Sequence, residues 1–242
     1  MARRTASGGA ASQVLETAAG SGIVTRALRD ALAADARLTA TDLNPDMLSV
    51  ARTKLRADEK VVWQQADATA LPFPDRSFDT LVCQFGVMFY PDKDAGYAQA
   101  HRVLTAGGRY LFSVWDGLPH NPLGRILHRV STSLFPADPP DFPATPFSYG
   151  SIDPIKQSLQ GAGFARIEVS VMPRRHTVTD FSSLARGFVS GSPLLGQIRQ
   201  RGGISPTEVQ QAVAQAMRQE FGGEPAPVPM QAIIFEAHKP GS

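Results

Sequence analysis

The sequence predicts an α/β fold in which helices cover both faces of a doubly wound, mostly parallel sheet. Short apolar segments alternate with amphipathic segments of helical period between residues 13 and 115, which is the pattern of successive strand–helix units. Residues 80–85 are almost all apolar, as expected for a central strand covered on both faces. A glycine-rich turn follows the first apolar segment, where such sheets place their ligand sites.

The length and composition suit one globular α/β domain with an insertion or cap, or at most two small domains. The 242 residues are 43% hydrophobic, and 24 basic residues against 22 acidic ones give a net charge of +2. That charge is too weak to indicate a nucleic-acid partner. No apolar stretch is long enough for a membrane span and no secretory signal is present, so the prediction is a cytoplasmic protein. Cys83 is the only cysteine, and its apolar neighbours predict a buried structural thiol.

The first part of the chain predicts two strand–helix units after a tail. Residues 1–12 are small and polar and predict a disordered tail. A strand at 13–17 is followed by a helix at 22–34, whose apolar residues share one face. A second strand at 38–42 precedes a helix at 44–56, because Asn44 is a suitable N-cap and Pro45 suits the first helical turn.

Three further strands follow, with one helix between the last two of them. The predicted strands are 61–65, 80–85 and 109–115. A helix is predicted at 93–104, and Gly107 and Gly108 interrupt the pattern before the fifth strand. The order of elements implies right-handed crossover connections between parallel strands.

The pattern changes after residue 115. Prolines crowd residues 116–150 and leave room for a helix at 122–134, and the sequence then predicts a helix at 152–162 and strands at 166–172 and 230–238. The intervening residues fit helices at 180–190, 192–200 and 205–221. They are too many for a structureless loop. Residues 13–242 are therefore interpreted as a single domain, with 116–150 and 173–228 as insertions that form a helical cap and a substrate pocket.

Polar and small residues follow four of the predicted strands, at the edge where the carboxyl ends of parallel strands meet. They are Glu16 with Gly20, Ser21 and Gly22, then Asp42, then Asp67 and Ala68, then Gln84 and Phe85. A carboxylate such as Asp42 can accept both hydroxyls of a ribose, and Asp67 can accept from an exocyclic amino group. Leu43 and Met47 can pack on a purine face, and the helix start after Gly22 can bind a carboxylate.

These motifs together resemble the class I S-adenosylmethionine-dependent methyltransferases, of the small-molecule and ubiquinone/menaquinone methylase type. The resemblance rests on Glu16-x-x-x-Gly20-x-Gly22, residues 41–48, residues 65–79 and residues 103–109, and it covers about residues 13–115. It implies a Rossmann-like seven-stranded sheet whose antiparallel last strand is inserted beside the fifth. It also implies S-adenosylmethionine as the cofactor and S-adenosylhomocysteine as its product.

The resemblance implies a role for each motif residue. Glu16 and the glycine turn would contact the methionine moiety, Asp42 the ribose, and Asp67 with Ala68 the adenine. Gln84 and Phe85 would line the methyl-transfer end.

Catalysis and the acceptor are less well defined by the sequence. His120 and Tyr90 follow strands that end at this edge and are the candidate general bases. The proline- and phenylalanine-rich insertions favour a small apolar or amphipathic acceptor. No cluster of His, Asp or Glu has metal-ligand spacing, so no metal is expected.

Two alternatives remain at this point. A nicotinamide-dependent oxidoreductase would place a third glycine at position 25, where this chain has Thr25. A protein that binds S-adenosylmethionine without catalysis is the second alternative. Only about a dozen residues precede the first strand, whereas relatives usually place one or two covering helices there. This predicts weak cofactor retention, or cover by a second subunit in a homodimer.

Overall fold

The computed structural model describes residues 1–7 and 12–241, which form two compact units. Unit 1 comprises Met1–Val114, Ser151–Ser170 and Ile233–Ser242, and unit 2 comprises Trp115–Gly150 and Val171–Ala232. Unit 2 is therefore built from residues of the two predicted insertions, which lie far apart in the sequence. Within the described ranges, no helix combines the length and apolar character needed to cross a membrane.

The strands form one seven-stranded sheet in the order β3-β2-β1-β4-β5-β7-β6. Their bounds are β1 Gln13–Glu16, β2 Arg37–Asp42, β3 Val61–Gln65, β4 Phe78–Gln84, β5 Leu104–Trp115, β6 Arg166–Val178 and β7 Ala226–His238. Pairs among β1 to β5 are parallel. This topology confirms the predicted fold class. The prediction was possible because the strand and helix periods are regular enough to recognise in the sequence.

The last strand is antiparallel to β5 and lies beside it, as predicted. The Gly107 N–H donates to the Pro240 carbonyl, and the Asp116 N–H donates to the Gln231 carbonyl, at 3.1 and 3.0 Å. Residue numbers therefore rise along β5 as they fall along β7, which defines antiparallel pairing. Both β6 and β7 are longer than predicted. The residues added to β6 are mostly exposed and polar, so they carry no alternating pattern, whereas those added to β7 alternate between buried and exposed but include two prolines.

The helices are, in chain order, α1 Ala2–Ser7, α2 Ile23–Ala31, α3 Pro45–Arg52, α4 Lys93–Val103, α5 Pro122–Leu134, α6 Ile152–Gly161, α7 Phe181–Ser190, α8 Leu194–Arg201 and α9 Pro206–Phe221. Asn44 caps α3 by accepting from the Asp46 N–H at 2.9 Å. Ser205 and Glu208 form a capping box at the start of α9, which satisfies two N–H groups that the helix itself leaves free.

The disordered tail predicted for residues 1–12 is wrong for residues 2–7, which form α1. The buried Arg109 side chain donates to the carbonyls of Arg4 and Thr5, and Met1 packs against the cluster under β1. A cation at the carbonyl end of a helix stabilises it. These contacts come from residues far away in the sequence, which is why local composition misses them. Residues 8–11 lie outside the described residues.

Aromatic residues dominate the core of unit 1. The rings of Phe112 and Phe235 stack with centroids 4.9 Å apart, and Tyr97 lies 5.6 Å from Phe112. These fully buried side chains join α4, β5 and β7, and each ring pair adds about 0.5–1.5 kcal/mol beyond area burial. Unit 2 has its own apolar cluster, formed mainly by α5, α7, α8 and α9.

Candidate functional site

The strand ends of unit 1 are aligned by the register of the sheet. Glu16, the last residue of β1, pairs with Ala40 of β2 and Val82 of β4. β2 and β4 each continue two residues further, so that Asp42 and Gln84 flank the turn that leaves β1. The predicted site residues of β1, β2 and β4 are therefore neighbours at one edge of the sheet.

The turn after β1 is held by backbone hydrogen bonds to both neighbouring strands. The Thr17 N–H donates to the Val82 carbonyl, and the Ala19 N–H donates to the Thr41 carbonyl, both at 2.9 Å. Ala18 has a φ of 53° and Gly20 a φ of 55°, in a region that costs most residues about 1 kcal/mol or more. Such strain persists where the surrounding structure enforces it, and it concentrates at functional sites.

The two glycines of the motif serve different purposes. A Cβ on Gly22 would stand 2.7 Å from the Ala51 Cβ, so that glycine lets α2 begin against α3. A Cβ on Gly20 would meet nothing within 4 Å, so the space beside that backbone is open to a ligand. Among the described residues no side chain caps α2, which leaves its first N–H groups for an anion. Ser21 accepts from the Lys54 ammonium at 3.2 Å.

Glu16 is a buried carboxyl group without a complete set of partners. It is 1% exposed, and its Oε2 atom has no hydrogen-bond partner among the described residues. Burial raises the pKa of Glu16 to about 8, the Thr25 hydroxyl nearby offsets part of that rise, and the Asp42 carboxylate adds to it. The Thr25 hydroxyl itself falls short of hydrogen-bond geometry. A cationic group placed beside this carboxyl would favour its ionised form.

Asp42 is oriented by backbone donors on both sides. Its Oδ2 atom accepts from the Gly20 N–H at 2.8 Å, and its Oδ1 atom accepts from the Asn44 N–H at 2.9 Å. Each carboxylate oxygen has a second lone pair. Asp42 therefore ties the glycine turn to the start of α3 and can still accept from two adjacent hydroxyl groups.

The end of β3 offers a second oriented carboxylate beside exposed apolar side chains. Asp67 accepts through Oδ1 from the Thr69 N–H at 2.8 Å and from the Thr69 hydroxyl at 2.7 Å. These hydrogen bonds lower the pKa of Asp67 below its usual value, so it is an acceptor at neutral pH. Leu43 and Met47 are 65% and 40% exposed, which is unusual for such residues and suits a flat apolar ligand. Ala68 is partly exposed.

A strained residue follows β4 directly. Phe85 has a φ of 57°, and its N–H donates to the Ser113 carbonyl at 3.0 Å. A positive φ is rare for an aromatic residue, so the sheet enforces the direction in which the chain leaves β4. Both Gln84 and Phe85 are partly exposed.

The surroundings of Tyr90 argue against its predicted role as a general base. Its hydroxyl is enclosed, 3.2 Å from the Thr17 Oγ1 atom and 3.3 Å from the Cys83 Sγ atom. Burial raises the pKa of Tyr90 well above 10, so the phenol stays protonated at any working pH. Tyr90 holds the end of β1 to the end of β4 and is a positioning residue. Cys83 is buried as predicted, and burial raises the pKa of its thiol as well.

His120 belongs to unit 2, where it is exposed at the end of the short helical turn Leu118–His120. It lines an open pocket of about 710 Å³ together with Arg125, Arg174 and Arg175. The arginines come from α5 and β6, two elements that are far apart in the sequence. Sequence reasoning missed this basic pocket because the two segments carry no common motif.

Unit 2 also contains an apolar cavity of about 230 Å³ that sequence reasoning did not locate. Gly124 permits its shape, because a Cβ there would stand 2.3 Å from the Phe147 ring. The buried Asn121 side chain fixes one wall by donating to the Asp116 and Gln231 carbonyls at 2.8 and 3.0 Å. An asparagine before a helix predicts an N-cap, but this one instead joins two segments of unit 2.

The fold and the strand-end residues of unit 1 define a protein that binds a nucleoside-containing cofactor. A glycine turn and two oriented carboxylates, those of Asp42 and Asp67, lie at the carboxyl ends of parallel strands, where doubly wound sheets bind nucleotides. The unpartnered Glu16 carboxyl, the open space beside Gly20 and the exposed Leu43 and Met47 fit a ligand that carries a cationic amino group and a purine.

Comparisons with known proteins identify the cofactor. The methyltransferase domain family matches residues 14–108. A ubiquinone/menaquinone biosynthesis C-methyltransferase, UbiE of Shewanella halifaxensis, is 32% identical over 174 residues, which are 66% of this chain and 69% of that protein. The chain belongs to the class I S-adenosylmethionine-dependent methyltransferases of the ubiquinone/menaquinone methylase type. This assignment replaces the oxidoreductase alternative.

Solved structures agree on the fold. The YcgJ protein of Bacillus subtilis superposes with a TM-score of 0.65 at 19% identity, covering 99% of this chain and 96% of that one. Phosphoethanolamine N-methyltransferase 2 of Haemonchus contortus, solved with S-adenosyl-L-methionine, superposes with a TM-score of 0.60 at 18% identity. That match covers 99% of this chain and 51% of the other. These structures support the fold, whereas the cofactor, S-adenosylmethionine, and the activity, methyl transfer to a small molecule, follow from membership of the methyltransferase family.

Proposed function

We propose that the strand-end residues of unit 1 hold S-adenosylmethionine and that unit 2 supplies the residues that bind the acceptor. The observation that carries the first part is the Asp42 carboxylate, which is held by the Gly20 and Asn44 N–H groups at 2.8 and 2.9 Å. A rigid acceptor of this kind selects a ribose with two adjacent hydroxyls. S-adenosylmethionine supplies a methyl group that is already activated for in-line displacement.

The other cofactor contacts follow from the chemistry of each residue. Glu16 would ionise beside the amino group of the methionine moiety, because a nearby cation favours the charged carboxylate. The free N–H groups at the start of α2 would bind the carboxylate of that moiety. Asp67 and Ala68 would contact the adenine edge, with Leu43 and Met47 against its face, whereas Gln84 and Phe85 would line the methyl-transfer end.

The protein must orient the acceptor and exclude water for the displacement to proceed. A general base contributes only where the acceptor atom is protonated at the working pH. Since the Tyr90 hydroxyl is buried between Thr17 and Cys83, His120 is the remaining candidate base. The relative from Shewanella halifaxensis is named a C-methyltransferase, which favours a carbon acceptor here. A homodimer and a cytoplasmic location remain predictions, and light scattering would measure the first.

Binding and turnover test these assignments separately. Calorimetry should detect S-adenosylhomocysteine but not NAD, and radiolabelled S-adenosylmethionine should transfer its methyl group to members of an amphipathic acceptor panel. Binding without transfer to any acceptor would favour the alternative of a binding protein without catalysis. The His120→Ala variant should lower kcat by about a hundredfold for a protonated acceptor, with unchanged cofactor affinity. An unchanged kcat would remove His120 from the mechanism.

A further inference from the structure

The apolar cavity of unit 2 is large enough for a small organic group. Its volume is about 230 Å³, and its walls include Leu123, Leu127, Phe142, Phe147 and Phe188. A dry cavity of about 150 Å³ with similar walls binds benzene. The cavity therefore accepts a ring or a short alkyl chain.

The polar side chains in the cavity wall are already paired. Asn121 uses its amide group on the Asp116 and Gln231 backbone. The Ser192 hydroxyl donates to the Phe188 carbonyl at 2.6 Å and accepts from the Leu194 N–H at 3.3 Å. A polar ligand group placed here would lose its hydrogen bonds to water without replacement, so the cavity selects apolar groups.

The basic pocket adjoins this cavity, because Pro229 and Met230 line both. Its single carboxylate, that of Glu220, is paired with the Arg125 guanidinium. Within the described residues, neither Arg174 nor Arg175 lies within 4.0 Å of a carboxylate. Arg174 donates only to the neighbouring Pro173 carbonyl, at 3.0 Å. The pocket therefore has an excess of positive charge beside an apolar cavity.

We propose that unit 2 binds an amphipathic anion, whose apolar body enters the cavity while its anionic group lies on Arg174 and Arg175. Guanidinium groups bind carboxylates, phosphates and sulfonates through paired charge-assisted hydrogen bonds. This inference rests on the proposed function in one respect, since it identifies this ligand as the methyl acceptor. The binding site itself stands on the cavity, the shared wall and the unpaired arginines.

Competition against a fluorescent anion tests the site without cofactor present. 8-Anilinonaphthalene-1-sulfonate is bound to the full chain and displaced with decanoate, decyl phosphate or decanol. Decanoate or decyl phosphate should bind at least tenfold more tightly than decanol, and the better of the two identifies the anionic group. Equal affinities for all three compounds would overturn the proposal.

Variants, each with a matched control, show which residues bind the anionic group and the apolar body. The double variant Arg174→Gln/Arg175→Gln should abolish the preference for the anions, whereas Arg199→Gln removes an exposed charge of α8 elsewhere in unit 2 and should retain it. Gly187→Leu should weaken all three compounds at least tenfold. Gly187 lines the cavity, and a Cβ there meets nothing within 4 Å, so the added side chain has room. Gly196→Leu, at an exposed position of α8, is its control. Equal behaviour of a variant and its control would contradict the assignment.

The link to methyl transfer is a separate measurement. The Arg174→Gln/Arg175→Gln variant and the Gly187→Leu variant should both raise the KM of the acceptor and leave cofactor affinity unchanged. If the anion preference holds but the acceptor KM does not move, the site exists and its ligand is not the acceptor, which overturns that part of the inference alone. Failure of cofactor binding in the wild-type chain would instead contradict the proposed function.

Discussion

The strand ends of unit 1 and the pockets of unit 2 offer a ligand opposite kinds of surface. In unit 1, charged and backbone groups are oriented by short hydrogen bonds, such as those of Asp42 and Asp67. In unit 2, an apolar cavity with satisfied polar groups adjoins exposed arginines. The first arrangement fixes the identity of a polar ligand, because an unpaired buried donor or acceptor costs about 1–3 kcal/mol. The second tolerates many ligands of similar shape and charge.

This contrast explains why the two regions differ in how far the sequence reveals them. A polar cofactor needs particular residues at particular strand ends, so its site can be recognised in the sequence as short motifs. An apolar pocket needs only volume and hydrophobicity, which many residue combinations supply. Substitutions in the two regions should therefore have separable consequences.

The largest expected effect is that of Asp42→Ala on cofactor affinity. The substitution removes the proposed acceptor of two ribose hydroxyls and the carboxylate that accepts from the Gly20 and Asn44 N–H groups. Affinity should fall by at least about a hundredfold, since each charge-assisted hydrogen bond is worth about 1.5–3 kcal/mol. Calorimetry with S-adenosylhomocysteine measures it, with Asp46→Ala, an exposed residue of α3, as the control. Gly187→Leu in unit 2 should leave the cofactor affinity unchanged. Full cofactor affinity of the Asp42→Ala variant would contradict the assignment of Asp42 to the cofactor site.

The next effect concerns the pH dependence of stability at Glu16. Its folded pKa of about 8 lies above the ordinary value of 4.5, so between these values the folded state retains a proton that the unfolded chain releases. Rising pH therefore destabilises the folded wild type across this window. Relative to Glu16→Gln, the wild type should lose on the order of 3 kcal/mol between pH 5.5 and 8.5. Urea unfolding of both proteins at the two pH values measures this, and parallel changes would contradict the buried state of Glu16.

The smallest effect is expected at Tyr90. Tyr90→Phe leaves the Thr17 hydroxyl and the Cys83 thiol without their shared partner, which should cost about 1 kcal/mol of stability. The pH profile of kcat should stay the same, because the phenol never ionises in the working range. If Tyr90→Phe lost a hundredfold in kcat with an unchanged melting temperature and KM, the prediction that Tyr90 is a general base would be supported.

Much of the fold was accessible from the sequence. The alternation of apolar strands and amphipathic helices predicted β1 to β4 to within two residues at their ends, but β5 begins five residues earlier than predicted and runs through Gly107 and Gly108. The glycine turn, Asp42 and Asp67 predicted the cofactor edge. These features depend on residues close together in the chain, where periodicity and spacing are visible. The family resemblance added the position of β7 beside β5.

Only the tertiary structure decided the features built from distant residues. Arg109 donates to the end of α1 from more than a hundred positions away, Tyr90 is enclosed by Thr17 and Cys83, and arginines of α5 and β6 share one pocket. Local sequence carries no signal for such contacts, because they depend on which surfaces the folded chain brings together. The sequence by itself therefore determined most of the sheet and its cofactor motifs, whereas the enclosure of Tyr90 and the pockets of unit 2 follow from burial and proximity, which only packing creates.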